Sequence, residues 1–343
     1  MAYTTIDKPS DYFEAKLYTG NESNLNITGL DFAPNLVWIK DRTTDHSNCF
    51  YDSVRGVQKR LQSNNNEAEG TDAQGVTAFN SDGFTIGNSS SVNQNNDSFV
   101  SWNWLGGGSA SSNSNGSISS SVSASSTSGF SIVSYTGTGS AATVGHGLGV
   151  VPKIVLVKRR SQASNWCMYN VNVGNTKALY LNNNTVGATS TTFWNDTTPT
   201  SSVFTVGSDA ATNGSSDTQI AFCFSEVKGF SKFGKYTGNG NADGTFVYTG
   251  FKPAMVICKK ADSDTNDWFL MDNKRNGFNG QNYNLEANTN EAEQSNSDID
   301  ILSNGFKTRS SGNGHNTNGH GYIYMAFAEN PFVTSTGIPT TAR

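Results

Sequence analysis

Tyr18-Thr19-Gly20, Tyr135-Thr136-Gly137 and Tyr236-Thr237-Gly238 are one tripeptide met three times, at intervals of 117 and 101 residues. Reading outward from each copy, the same landmarks return in the same order. A proline opens an apolar run that ends in lysine: Pro34 to Lys40, Pro152 to Lys158, Pro253 to Lys259. Then come Asn48-Cys49-Phe50-Tyr51-Asp52, Trp166-Cys167-Met168-Tyr169-Asn170 and Trp268-Phe269-Leu270-Met271-Asp272. A Leu-x-x-Asn element follows, read as Leu61/Asn64, Leu181/Asn184 and Leu285/Asn288. Gly83-Phe84-Thr85-Ile86-Gly87, Val203-Phe204-Thr205-Val206-Gly207 and Gly305-Phe306-Lys307-Thr308 correspond next, and each copy closes on an aromatic run ending at Trp104, Phe224 or Phe327. Anchors that recur three times in one order define an internal repeat of about 100 residues.

The anchors have strand chemistry. Leu36-Val37-Trp38-Ile39, Ile154-Val155-Leu156-Val157 and Met255-Val256-Ile257-Cys258 are short and apolar on both faces, as a strand buried on both sides requires. The closing runs alternate: Val100, Trp102 and Trp104 share a face, with Ser101 and Asn103 opposite, and Ile220/Phe222/Phe224 and Ile323/Met325/Phe327 repeat it. Period two predicts a half-exposed strand. Asn, Gly and Ser clusters supply turns. The fold class is therefore all-β: three tandem antiparallel β-sandwich domains of jelly-roll or lectin-like type, each able to fold alone on its aromatic interior.

The expected boundaries are repeat 1 with an N-terminal attachment segment over 1–105, a linker over 106–128, repeat 2 over 129–229, repeat 3 over 230–332, and a tail over 333–343. The linker region, rich in serine and free of charge, reads as flexible, although Ile118, Val122 and Phe130 could form one extra strand. Copy one is expected to be hinged on it. Copies two and three abut through Glu226-Val227-Lys228-Gly229-Phe230 and are expected to be rigidly coupled. Pro9 to Glu14 suggests one helical turn, and the tail reads as extended.

Composition supports this and narrows function. Asn, Ser and Thr number 41, 43 and 35, together as large a share as all hydrophobic residues, while charged residues are only 15%. Such a chain is poor in helix formers, which disfavours bundles and α/β enzymes. The 11% aromatic content argues against disorder. A formal net charge of −5, with no basic run longer than Lys158-Arg159-Arg160, argues against a nucleic-acid partner. No apolar stretch is long enough for a membrane helix, and the N-terminus carries no secretion signal, so synthesis in a cytoplasm is expected. Cys49, Cys167, Cys223 and Cys258 are widely spaced and sit among apolar residues, so they read as buried thiols and not as zinc ligands or a redox pair.

The chemical signals are weak. Asp262-Ser263-Asp264-Thr265-Asn266 has calcium-loop spacing, yet Asp267 stands where a glycine is needed and Asn273 where a glutamate is needed. His315 and His320 lack a third metal ligand. The glycine-rich stretch from Gly137 to Gly149 leads into a strand and not a helix, so it reads as a turn and not a phosphate cradle. Asp52/Arg55 and Asp272/Arg275 read as loop salt bridges, with Asn170 and no matching arginine in copy two. Glu67, Glu69, Glu291 and Glu293 are the candidate glycosidase carboxylates, but their recurrence as Asn-Glu-Ala-Glu in two copies favours a repeated loop. No catalytic, cofactor or metal residue is therefore assigned, no cofactor is expected, and the ligand-binding residues stay unknown.

Several segments resemble a family of virion proteins from marine bacteriophages of cyanobacteria and pelagic bacteria. They are Lys8-Pro9-Ser10-Asp11-Tyr12-Phe13 with Leu17-Tyr18-Thr19-Gly20, Gly129 to Gly137 with Gly145-His146-Gly147-Leu148-Gly149, Phe230 to Gly240, and Gly337 to Arg343. The resemblance implies a tail-fibre-like or other structural protein of the particle. The expectation is a non-enzymatic virion component, most simply a tail-fibre or adhesin part contacting the host surface. The alternatives are a head decoration or head-fibre protein and a polysaccharide-binding or -degrading tailspike. Expected partners are other virion proteins, further copies of the chain (a trimer, by fibre analogy) and a host surface glycan, with no nucleic acid and no membrane insertion.

Overall fold

The computed structural model describes residues 2–263, 266–276, 279–280, 283–295, 299–312 and 314–340. The β-branched and aromatic runs form strands, and one topology is built three times. In copy one the large sheet orders Phe13–Thr19, Ser98–Trp104, Leu36–Asp41, Cys49–Asp52 and Lys59–Gln62 side by side. Copy two repeats this with Phe130–Thr136, Thr218–Phe224, Ile154–Arg159, Trp166–Asn170 and Gly174–Tyr180. Copy three uses Ser231–Thr237, Gly321–Pro331, Phe251–Lys260, Phe269–Asp272 and Leu285–Glu286. A small sheet covers one face of each, with Gly83–Ile86, Val203–Val206 and Gly305–Thr308 in equivalent places. Pairing is antiparallel between all these strands, and the fold is all-β.

The repeated tripeptide has one structural role. Tyr18, Tyr135 and Tyr236 donate their hydroxyls to the backbone carbonyls of Val92, Thr212 and His315, at 2.7, 2.6 and 2.7 Å. The next residue in each case is a buried asparagine: Asn93, Asn213 or Asn316. Its Oδ1 accepts from the backbone N–H that follows the tripeptide, on Asn21, Thr138 or Asn239. The glycine is demanded by closeness. A Cβ on Gly20, Gly137 or Gly238 would lie 2.0, 2.3 or 2.4 Å from a carbonyl oxygen of the chain that carries the asparagine. The three tyrosines thus occupy equivalent surroundings, as a true repeat requires.

Each large sheet is buried on both faces. One face packs on its own small sheet, through Val37, Ile39, Tyr51, Phe84 and Phe99 in copy one and Val155, Val157, Tyr169 and Phe204 in copy two. The opposite faces of all three sheets meet in one shared core. At its centre the last aromatic of each closing strand touches the other two: Trp104, Phe224 and Phe327 have ring centroids 6.3, 5.5 and 5.8 Å apart. A central cavity of about 30 Å³ is lined only by apolar side chains from the three copies, and so offers water no polar partner.

This arrangement corrects several expectations. The closing strands are not half-exposed: Ser101 and Asn103 are fully buried, because the face that alternation assigned to solvent is covered. Copy one is not hinged. Phe13 stacks on Phe327 at 5.0 Å and Phe50 packs against Trp166 at 5.1 Å, so it contacts both other copies. The 106–128 segment is not a free linker. It carries strands Ser111–Asn113 and Ser120–Ser125, which extend the second large sheet, and it buries Ile118 and Val122. In copy two the repeated leucine is Leu179 and not Leu181, since Met168 pairs with Leu179 as Phe50 pairs with Leu61 and Leu270 with Leu285. The N-terminal turn is a 3-10 helix limited to Pro9–Asp11. The tail folds back, with Val333 bridged to Pro339; Thr341, Ala342 and Arg343 lie outside the described residues.

Candidate functional site

The seams between copies are closed by a cyclic set of hydrogen bonds. Lys40, Lys158 and Lys259, the lysines that end the apolar runs, are fully buried. Each ammonium donates to a carbonyl of its own copy and to one of the copy before it in the ring. Lys40 reaches His46 at 2.7 Å and Asn290 at 3.0 Å. Lys158 reaches Ser164 at 2.6 Å and Asn66 at 3.1 Å. Lys259 reaches Asn266, and Asn184 at 2.9 Å. Burial pushes the Lys40 and Lys158 ammonium groups down to about 8. A second ring runs beside the first. Trp166 Nε1 donates to the Gln62 carbonyl, Trp268 Nε1 to that of Tyr180, and Asn48 Nδ2 to that of Glu286. Copy two leans on one, three on two, and one on three, so the ring closes on itself.

Two seams also carry a charged network. Arg55 binds Asp52 and Glu69, and Glu69 takes Arg160 of copy two in a two-pronged pair at 2.8 and 3.0 Å. At the seam of copies three and one, Arg275 binds Asp272 and Glu293, and Glu293 takes Arg42 at 3.1 and 2.7 Å. Burial would push the Glu69 carboxyl up, but the hydrogen bonds and charges of Arg160 and Arg55 outweigh it and hold the group below the usual carboxylate range. At the third seam the whole set is gone. Asn170, Val173, Gly187 and Ala261 stand where the others have aspartate, arginine, glutamate and arginine. Losing all four together is what desolvation demands, because one orphan buried charge costs more than none.

The remaining sequence signals disperse. Glu69 and Glu293 are engaged in the seams, while Glu67 and Glu291 are exposed, so the four carboxylates form no facing pair. His315 is buried against the Phe269 ring, whereas His320 lies at the rim on Asp262 at 3.0 Å. Asp264 and Thr265 of the calcium-like loop lie outside the described residues. The glycine-rich stretch after Gly137 is filled by the chain itself, with buried His146 held on the Thr200 carbonyl. One grouping escaped the sequence reading: Asp41, His46 and Asp97 place ligand-type atoms within 4.8 Å of one another. Thr44 and His46 both bond Asp41, and the equivalent rim positions hold Arg159–Asp217 in copy two. A local hydrogen-bonded clasp accounts for it.

The surface candidate is a cleft of about 380 Å³ on copy three, lined by Tyr3, Glu226, Lys228, Lys232 and Tyr248. Strand Phe246–Tyr248 alternates, so Val247 is buried while Phe246 and Tyr248 are exposed, at 45% and 49%. The Tyr3 hydroxyl lies 3.4 Å from that of Tyr248 and donates to the Gly250 carbonyl at 2.6 Å. Burial, then the Tyr248 hydroxyl, push the Tyr3 phenol upward. Lys228 sits over the Tyr3 ring at 4.6 Å and Lys232 over the Tyr248 ring at 5.2 Å. Aromatic faces beside hydroxyl, ammonium and carboxylate groups suit a ligand with both apolar and polyhydroxyl surfaces. No sequence signal marked this cleft, because Tyr3 and Tyr248 are 245 residues apart.

No curated protein matches the chain. Residues 8–331 match the family described as a domain of unknown function, DUF7483. The match runs from the residue before the 3-10 helix to the end of the last strand of copy three, so it takes in all three copies. The chain belongs to the DUF7483 family.

Proposed function

We propose that this chain is a non-enzymatic structural protein of a bacteriophage particle, a tail-fibre or adhesin component that touches the host surface. The resemblance of its opening, middle and closing segments to marine phage virion proteins supports the particle assignment. The observation that carries the contact role is the Tyr3–Tyr248 cleft, with Phe246 and Tyr248 exposed on a strand whose neighbours are buried. Such rings stack on sugar faces at little entropic cost. The closed ring beneath them provides a rigid mount. A threefold object is already present within one chain, so a trimer of chains is not needed to make one.

The test is adsorption of the labelled chain to host cells and to isolated surface polysaccharide. The Tyr248→Ala chain, with an unchanged melt, is expected to lose binding about tenfold or more. Equal adsorption by parent and variant would remove the cleft from the reading, and no adsorption by either would remove the adhesin role. Release of reducing ends during incubation would overturn the non-enzymatic part. One observation favours a head decoration as a second reading: the internal threefold suits a threefold position of a shell. Immunogold label on the head and not the tail would select it.

A further inference from the structure

The third seam, stripped of its charged network, leaves a cleft of about 590 Å³ between copies two and three. Two of the four substituted positions line it. Val173 stands for Arg55 and Arg275, and Ala261 for Arg42 and Arg160. At the seam of copies one and two, the equivalent space is taken by Arg160 as it reaches Glu69 and comes within 3.4 Å of the Ser134 hydroxyl. In the third seam Ser134 is replaced by Lys235, and Lys177 lines the opposite wall. Neither ammonium has a carboxylate or hydrogen-bond partner among the described residues. The one carboxylate present, Asp262, is engaged by the Gly321 N–H and by His320. Thr237 adds a hydroxyl edge and Asn172 an amide edge, its Nδ2 held by Asn170 and Phe233; Val173, Ala261 and Ile323 add an apolar floor.

The geometry points to a binding site for an acidic saccharide, a sugar segment bearing a carboxylate. The volume falls in the range of small-ligand sites. Two lysines without partners supply point charges for the anion. The hydroxyl and amide edges match sugar hydroxyls, and the apolar floor matches a sugar's C–H face. The site is separate from the Tyr3–Tyr248 cleft, and shares none of its residues.

The test is calorimetric titration of the full chain with a trimer of galacturonic acid, with a neutral glucose trimer and with inorganic phosphate. The uronate is expected to bind, the neutral sugar and phosphate not. The Lys177→Gln/Lys235→Gln chain is expected to bind about a hundredfold more weakly, about tenfold per lysine, with an unchanged melt. Ala261→Phe, which fills the floor, is expected to abolish binding. Tyr248→Ala is expected to leave it intact, so failure of the adhesin reading and failure of this one remain distinguishable. Absence of uronate binding by the parent, or equal affinity in the double-lysine variant, would overturn the proposal. Equal binding of phosphate would overturn its saccharide part.

Discussion

Replacing Glu69 by alanine removes the centre of the network between copies one and two. The carboxylate binds Arg160 at two points and Arg55 at 3.2 Å, and the Arg55 side chain is fully buried. Breaking a buried pair from one side costs about 3–5 kcal/mol. Arg160 is 18% exposed and recovers some hydration, so the lower half of that range, about 3 kcal/mol, is expected. The protein supplies its own control. Installing the third seam's residues at this one (Asp52→Asn, Arg55→Val, Glu69→Gly and Arg160→Ala together) removes both charge signs and leaves no orphan. The fourfold chain is expected to be more stable than the Glu69→Ala chain by about 1–2 kcal/mol, although it carries three further changes. Urea unfolding at pH 7 measures both. A fourfold chain less stable than the single variant, or a Glu69→Ala loss under about 0.5 kcal/mol, would refute the argument that the network persists or vanishes as a unit. The same reasoning fixes acid behaviour: with its carboxyl held below the ordinary 4.5, Glu69 contributes stability above that pH and loses it as pH falls.

Gly137→Ala would bring a Cβ to 2.3 Å from the Gly214 carbonyl, backbone against backbone, and is expected to cost about 2–4 kcal/mol in a thermal or urea melt. Burial raises the four thiols, Cys49, Cys223 and Cys258 to about 12, so the folded state keeps protons that the unfolded chain releases above pH 9. Stability is then lost as pH rises from 9, by up to about 1.4 kcal/mol per unit for each thiol. Lys40 and Lys158 act oppositely between 8 and 10.5, so unfolding free energies should rise from pH 8 to 9, where the lysines act alone, and fall from 9 to 11, where the four thiols outweigh them; Cys49→Ala/Cys223→Ala should flatten that fall. Burial, then the Asp267 charge, raise Glu286 to about 7, so its contribution is present at acid pH and lost as pH rises through 7. Glu286→Gln is expected to stabilise at pH 8 by about 1 kcal/mol, after discounting for its exposed part, and to change nothing at pH 4. The fragment 230–332 leaves the core-facing Ile257, Trp268, Met325 and Phe327 without their neighbours, so it is expected to self-associate or to lack a cooperative monomeric melt in sedimentation and circular dichroism.

The sequence by itself determined the repeat, the strand class and the burial of the lysine-ended runs. Those features live in local period and composition, which a strand imposes wherever it sits. It also held the copy-two register, but ambiguously: Leu179-Tyr180-Leu181-Asn182 offers Leu-x-x-Asn two residues ahead of the reading through Leu181 and Asn184. Only pairing with Met168 settles it. What the tertiary structure decided is that the three sandwiches share one interior. Alternation in Val100 to Trp104 says which side chains lie together, yet it cannot say that the Ser101 and Asn103 face is covered as well. The seam partners are likewise nonlocal, since Arg160 meets Glu69 across 91 residues and Lys40 meets Asn290 across 250. A carbonyl offered to a buried ammonium, or a cleft opened where an arginine is missing, exists only once three sheets have closed into a ring.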